Sequence, residues 1–243
     1  MDFGHMFGDA FAYTRDGVLG NVNRWLKLIL AVIFLGLPLN GYVMRIYRGA
    51  PSAPEVDDWG ALFVDGLKLL VVGLVYAIPI IIITMLIYRQ LFLAIVSGRL
   101  DGYMMAAFTP SLVLMLLLYI VEIIVGIIMP VAAIRFARTG RFSEAFNFSA
   151  ILETIGKIGW LNYIIALILI SIVIAVPVCV LVFGFILVAG VTIFLVKGGL
   201  PALLGFIALG ILLFLLAAPV LGVFQARCLT QVYESASPDV QES

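Results

Sequence analysis

Charge is scarce in this chain: 14 basic and 14 acidic side chains among 243 residues, 12% in all, where a soluble domain carries about 25%. The two signs cancel, so no basic surplus exists to hold a nucleic acid, and such a partner is excluded as a working idea. Histidine is nearly absent, with His5 alone close to the N-terminus. Cysteine is limited to Cys179, inside an apolar run, and Cys228, just after another, which is neither a disulfide framework nor a metal-ligand cluster. Zinc, haem and Cys-His chemistry therefore lack ligands or bases, and no cofactor or metal is expected. What the sequence has instead is apolar length. Hydrophobic residues make up 64% of it and the mean hydropathy is +1.23, the profile of an integral membrane protein.

A secretory signal would open with a basic stretch and close on a small-residue cleavage site. Here Asp2, His5 and Asp9 come first and no such site follows, so the start is expected to be retained. Phe3, Met6, Phe7, Ala10 and Phe11 recur at helical spacing. That pattern suggests either a short helix along the membrane surface within residues 1–27 or a frayed terminus whose aromatics pack on the bundle.

A bilayer core of about 30 Å needs about 20 apolar helical residues. Leu28 to Met44, Leu69 to Tyr88 and Leu112 to Ile134 meet this, with Gln90 to Pro110 as a surface stretch between the second and third. Trp160 to Val196 would extend to roughly 55 Å as one helix, so a break near Pro177 to Cys179 is expected, giving two arms. With Ala202 to Phe224, set off by Lys197-Gly198-Gly199-Leu200-Pro201, the expectation is an all-α polytopic bundle of six spans over residues 28–233. Five is the alternative, with one long tilted helix ending near Gly184 to Gly190. The helix should run out near Tyr233, leaving residues 234–243 as a polar tail.

Sliding the chain by about 90 residues lays Arg45-Ile46-Tyr47-Arg48-Gly49 over Arg135-Phe136-Ala137-Arg138-Thr139-Gly140. Both begin with Arg-x-x-Arg. Trp59, Leu62 and Lys68 then fall opposite Phe148, Ile151 and Lys157 once a two-residue loop difference is absorbed. Units of about 28–88 and 112–176 each read span, basic corner, amphipathic helix, span. The expected stripes are Trp59, Leu62, Phe63, Leu67 and Leu70 behind Asp57 or Asp58, and Ala145, Phe148, Leu152 and Ile155 behind Ser143 and Glu144. An even number of spans between equivalent loops makes the repeat parallel. On the six-span reading the repeat loops hold Arg45, Arg48, Lys68, Arg135, Arg138, Arg141 and Lys157, against Arg15, Arg24, Lys27, Arg89 and Arg99 opposite, a bias that places the repeat loops in the cytoplasm of a cell-membrane protein.

The chain resembles a prokaryotic, mainly archaeal membrane family called domain of unknown function 4013. The likeness lies in Leu39-Asn40-Gly41-Tyr42, Ala53-Pro54-Glu55-Val56-Asp57-Asp58-Trp59, Leu62-Phe63-Val64-Asp65-Gly66-Leu67-Lys68, Arg138-Thr139-Gly140-Arg141-Phe142 with Ala145-Phe146, and Ala226-Arg227. It runs over roughly Phe7 to Tyr233. The resemblance implies a multi-span architecture and supplies no substrate.

Two groups of residues are candidates for function. Glu122 is the single ionisable group inside the third run, and a charge at mid-span is costly, about 2.5–3.5 kcal/mol for Asp, Lys or Arg. It is expected to face the interior, either as a proton or cation site with Tyr119, Asn162 or Tyr163 nearby, or as a packing hydrogen bond. A lone carboxylate cannot supply the paired acid and base of a hydrolase. Ser111, Ser149 and Ser171 have no histidine or lysine partner in a recognisable motif. The other group is the Arg corners, Arg45 and Arg48 with Arg135, Arg138 and Arg141, which match lipid phosphate or serve as interfacial anchors. Pro38, Pro79, Pro130, Pro177 and Pro219 place one proline in or at the break of most apolar runs, and there each frees a backbone carbonyl. Gly184, Gly190, Gly205 and Gly210 suit close helix packing. The expectation is a non-enzymatic, lipid-contacting scaffold or accessory protein, with a homo-oligomer or membrane-protein partner open to it. A small transporter or channel past Glu122 is the alternative.

Overall fold

A computed structural model describes residues 2–97, 111–196 and 200–237. Residues 98–110, the end of the expected surface stretch with Arg99 in it, lie outside the described residues, as do Lys197 to Gly199 and the last six residues. Those described are helical, with no strand among them. Helix α1 (Phe3–Thr14) runs through a π-turn at Arg15–Leu19 into α2 (Val22–Ile33) and α3 (Leu37–Tyr47). Then come α4 (Trp59–Ile87), α5 (Arg89–Ser97), α6 (Leu112–Thr139), the single turn α7 (Phe142–Ala145), α8 (Phe148–Ile158), α9 (Trp160–Val196) and α10 (Leu200–Glu234). Four helices are long and apolar enough to cross a membrane: Trp59–Ile87, Leu112–Thr139, Trp160–Gly190 and Leu204–Glu234.

Four replaces the expected six, for two reasons. The run from Leu28 to Met44 does not cross. It breaks at Phe34 to Gly36, where Leu35 and Gly36 take φ of +56° and +68°, and the chain reverses into α3 with Pro38 in its first turn. Twelve and eleven residues give arms of about 18 and 16 Å, too short to span. Both arms end at the same loop, since Arg24 pairs with Glu55 and Arg45 with Asp57. The second reason is that α9 continues through Pro177. A proline ring removes one ladder bond and kinks a membrane helix without ending it, and no glycine or second proline adjoins it. The five-span alternative anticipated this long helix and shares with the six-span reading only the crossing at Leu28 to Met44 that the hairpin replaces.

Elements α3 and α4 cross at glycine. A Cβ on Gly41 would collide with the Leu62 carbonyl, and one on Gly66 with the Leu37 carbonyl. Leu62, Gly66, Leu69, Val72 and Tyr76 form the buried line of α4, while Leu67 and Leu70 of the expected stripe are exposed. Asp58 does cap this helix, accepting from the Ala61 amide at 3.2 Å, so the first amphipathic helix is continuous with its span. In the second unit α8 is separate, ended by Gly159 at φ +91°. Its cap is Asn147, 3.2 Å from the Ala150 amide, because Ser143 and Glu144 belong to α7. The buried face is Ile151, Thr154, Ile155 and Ile158, with Phe148 and Leu152 turned outward.

The core sits at one end of the bundle. On α6 every buried residue follows Pro130, from Val131 to Ala137; on α9 they are Tyr163, Ala166 and Ile170, and on α10 they run from Val223 to Val232. Helix α1 is packed into this end, with Met6, Ala10 and Tyr13 buried and Phe7 stacked on Phe224 at 6.2 Å. The far halves of the long helices expose apolar side chains on most sides, as the hydrocarbon of a bilayer requires. Two proline-bearing helices share one device: Tyr163 donates to the Ile127 carbonyl at 2.6 Å and Trp25 to the Leu216 carbonyl at 3.3 Å. Each acceptor lies three residues before a proline, Pro130 or Pro219, in the turn whose ladder the ring interrupts.

Candidate functional site

Three helix C-termini, those of α3, α6 and α10, meet at the packed end, and each leaves backbone carbonyls without an intrahelical donor. At the ends of α3 and α6, guanidinium groups supply donors. Arg48 Nε donates to the Ala137 carbonyl at 3.2 Å, and Arg138 Nε donates to the Tyr47 carbonyl at 3.0 Å. The two arginines are 90 positions apart, and each closes the helix that carries the other. Their remaining donors reach carboxylates, Arg48 to Asp65 at 2.6 Å and Arg138 to Glu234 at 2.5 Å. Arg138 also lies over the Tyr233 ring at 4.9 Å.

The other corner residues are engaged in the same way. Arg45 donates to the Glu55 and Asp57 carbonyls at 2.9 and 3.0 Å and pairs with the Asp57 carboxylate, which holds that carboxyl below its ordinary range. Arg135 pairs with Glu144 and reaches Thr154 Oγ1 at 3.4 Å; the hydrogen bond from its guanidinium pulls the Glu144 carboxyl down. Arg141 is the exception. Among the described residues its guanidinium pairs with Glu144 alone, at 3.3 Å, and its side chain is 71% exposed. Gly140, at φ +70°, turns the chain between the two arginines.

Contacts that sequence reasoning did not assign complete the layer. Arg227 donates to Asp9 at 2.8 Å and to the Ala50 carbonyl at 3.3 Å, and lies over the Tyr13 ring at 4.8 Å. Burial pushes the Tyr13 hydroxyl up to about 12. Arg24 donates to the Gly17 carbonyl at 2.8 Å and pairs with Glu55. The Nε atoms of Arg24 and Arg135 are buried without a partner among the described residues. Two signals bore on these contacts, the Arg-x-x-Arg recurrence and the closing Ala226-Arg227; Asp9 and Glu234 carried none, because their partners are remote in sequence.

The intramembrane polar group is not assembled. Glu122 and Tyr119 lie on the outer face of α6, correcting the expectation that Glu122 points inward. The face of a helix is set by its packing partners, and α6 packs closely only beyond Pro130. Asn162 is exposed, while Tyr163 is buried and committed to Ile127, about 7.5 Å along the axis from Glu122. Gly210 packs on the Phe185 ring, but Gly184, Gly190 and Gly205 meet no neighbour among the described residues.

An all-helical chain with four membrane-length apolar helices and its polar residues layered at one end is a polytopic membrane protein. The family described as protein of unknown function (DUF4013) matches residues 26–184, and the chain belongs to it. The match stops short of the Phe7 to Tyr233 extent that the motifs suggested, leaving Ala226-Arg227 outside it. No curated protein and no solved structure matches the chain.

Proposed function

We propose that this is a non-enzymatic multi-pass scaffold of the cell membrane whose polar layer faces the cytoplasm and touches anionic lipid headgroups through its exposed basic side chains, Arg141 first. The observation that carries the reading is the layer itself. The hairpin brings Arg15, Arg24 and Lys27 to the end that holds Arg45, Arg48, Lys68, Arg135, Arg138, Arg141, Lys157 and Arg227, against Arg89 alone among the described basic residues at the other. That asymmetry replaces the seven-to-five count and favours a cytoplasmic layer. Arg45, Arg48, Arg135 and Arg138 are committed to carbonyls and carboxylates, which supports a structural role for them and leaves Arg141 to meet phosphate. The crosswise Arg48 and Arg138 contacts support a parallel repeat of residues 28–88 and 112–176. An ion pathway past Glu122 would need a side chain aimed into the bundle, and this one is turned out.

Native mass spectrometry from nanodiscs of mixed phosphatidylglycerol and phosphatidylcholine tests the reading. Wild-type protein is expected to retain phosphatidylglycerol, and Arg141→Gln to retain about threefold less, the effect of an exposed contact at the lower end for an ordinary hydrogen bond. Equal retention by both proteins would remove the headgroup assignment, and cation flux in liposomes abolished by Glu122→Gln would replace it with a transporter.

A further inference from the structure

Beneath the guanidinium layer, between α3, α4, α6 and α10, lies a cavity of about 360 Å³, within the range of about 300–1,000 Å³ seen for small-molecule sites. Its lining is apolar except for Asn40, Gln225 and Tyr47, and no charged side chain contributes to it. Asn40 is half-buried in the first turns of α3, and Gln225 is exposed at the edge. Gln225 is two residues from Arg227, about 3 Å below the polar layer, and Asn40 is five from Arg45, about 7.5 Å below it. The cavity therefore opens sideways near the interface and runs inward to Leu39, Met129 and Gly222.

Glycine keeps part of this space open. A Cβ on Gly73 would sit 3.6 Å from Met129 Cε, and one on Gly222 would sit 3.9 Å from Leu39 Cδ2, so larger side chains there would grow into the void. Among the described residues neither carboxamide has a hydrogen-bond partner. Asn40, the deeper and half-buried of the two, is the one shielded from water, and an amide left unpaired in such a place is costly. Carboxamides offer donors and acceptors without charge, and the apolar wall would strip an ion of its hydration with nothing to compensate. We propose that this cavity binds a neutral lipid carrying a hydroxyl or carbonyl group, the polar group held by Gln225 and Asn40 and the chain passing towards Gly73 and Gly222. The site is separate from the headgroup contacts at Arg141, and either can fail without the other.

The test is photolabelling of the full-length protein in nanodiscs with a diazirine-bearing sixteen-carbon alcohol, beside the matching sixteen-carbon carboxylic acid, followed by peptide mapping. The alcohol is expected to label the peptides holding Asn40 and Gln225, with the acid several-fold weaker there. Gln225→Leu, at an exposed position, is expected to cut this labelling about fivefold, the effect of one lost hydrogen bond. Gly222→Leu should cut it further by filling the space; if that variant is not monodisperse, Gln225→Leu decides. Labelling spread evenly over the outer faces of α4 and α9, or unchanged in Gln225→Leu, would overturn the site, and equal labelling by the acid would overturn the neutral class.

Discussion

The arginine side chains at positions 48 and 138 show what the basic corners do. A guanidinium can give Nε to a carbonyl and a terminal nitrogen to a carboxylate in one plane, and both do so. Lysine keeps the charge but loses the fork. Arg48→Lys and Arg138→Lys are each expected to lower stability by about 1–2 kcal/mol, and the double variant by less than their sum, because the two bonds are halves of one contact. A double-mutant cycle read by thermal unfolding in mild detergent checks this, and strict additivity would mean that the two helix ends are closed independently. The type and spacing of these residues were legible in the sequence. Their use was not, since a carbonyl 89 positions away leaves no mark in local composition.

Among the elements, the α2–α3 hairpin departs most from the sequence reading. Leu28 to Met44 has the length and apolarity of a crossing, and hydropathy does not distinguish a chain that crosses from one that turns back halfway. Gly36 and Pro38 were the local signs, and Leu35 adopts a positive φ that few leucines take. What holds the hairpin is the glycine crossing of α3 on α4. Gly66→Ala is expected to cost about 1–3 kcal/mol by forcing the helices apart, whereas Gly73→Ala, whose Cβ meets only the end of Met129, should be close to neutral. Melting temperatures of the two variants measure the difference; similar values would show that the crossing is not tight. The caps at Asp58 and Gly140 were readable as residue types, and the rotated face of α8 was not, because α7 takes up the residues expected to begin it.

For the whole molecule, a re-entrant hairpin and four crossings put the loops around Ser52 and Ser143 on one side and Arg89 on the other. In a Cys179→Ser, Cys228→Ala background, Ser52→Cys and Ser143→Cys are expected to resist a membrane-impermeant maleimide on intact cells and to react after permeabilisation. Arg89→Cys is expected to react on intact cells. The reverse pattern would turn the protein over in the membrane, and opposite sidedness for positions 52 and 143 would break the shared polar layer.

Composition alone determined that this chain lives in a bilayer and that it is helical, because few charges and long apolar runs leave no other way to satisfy the backbone there. Local chemistry marked the helix starts and stops near Asp58, Gly140 and Tyr233. Tertiary structure decided the number of membrane-length helices, the direction of Glu122 and the remote partners of Arg48, Arg138 and Arg227. Those outcomes depend on contacts such as Arg48 with Ala137 and Arg227 with Asp9, which join residues 89 and 218 positions apart, and no property of either neighbourhood specifies which remote carbonyl or carboxylate will arrive.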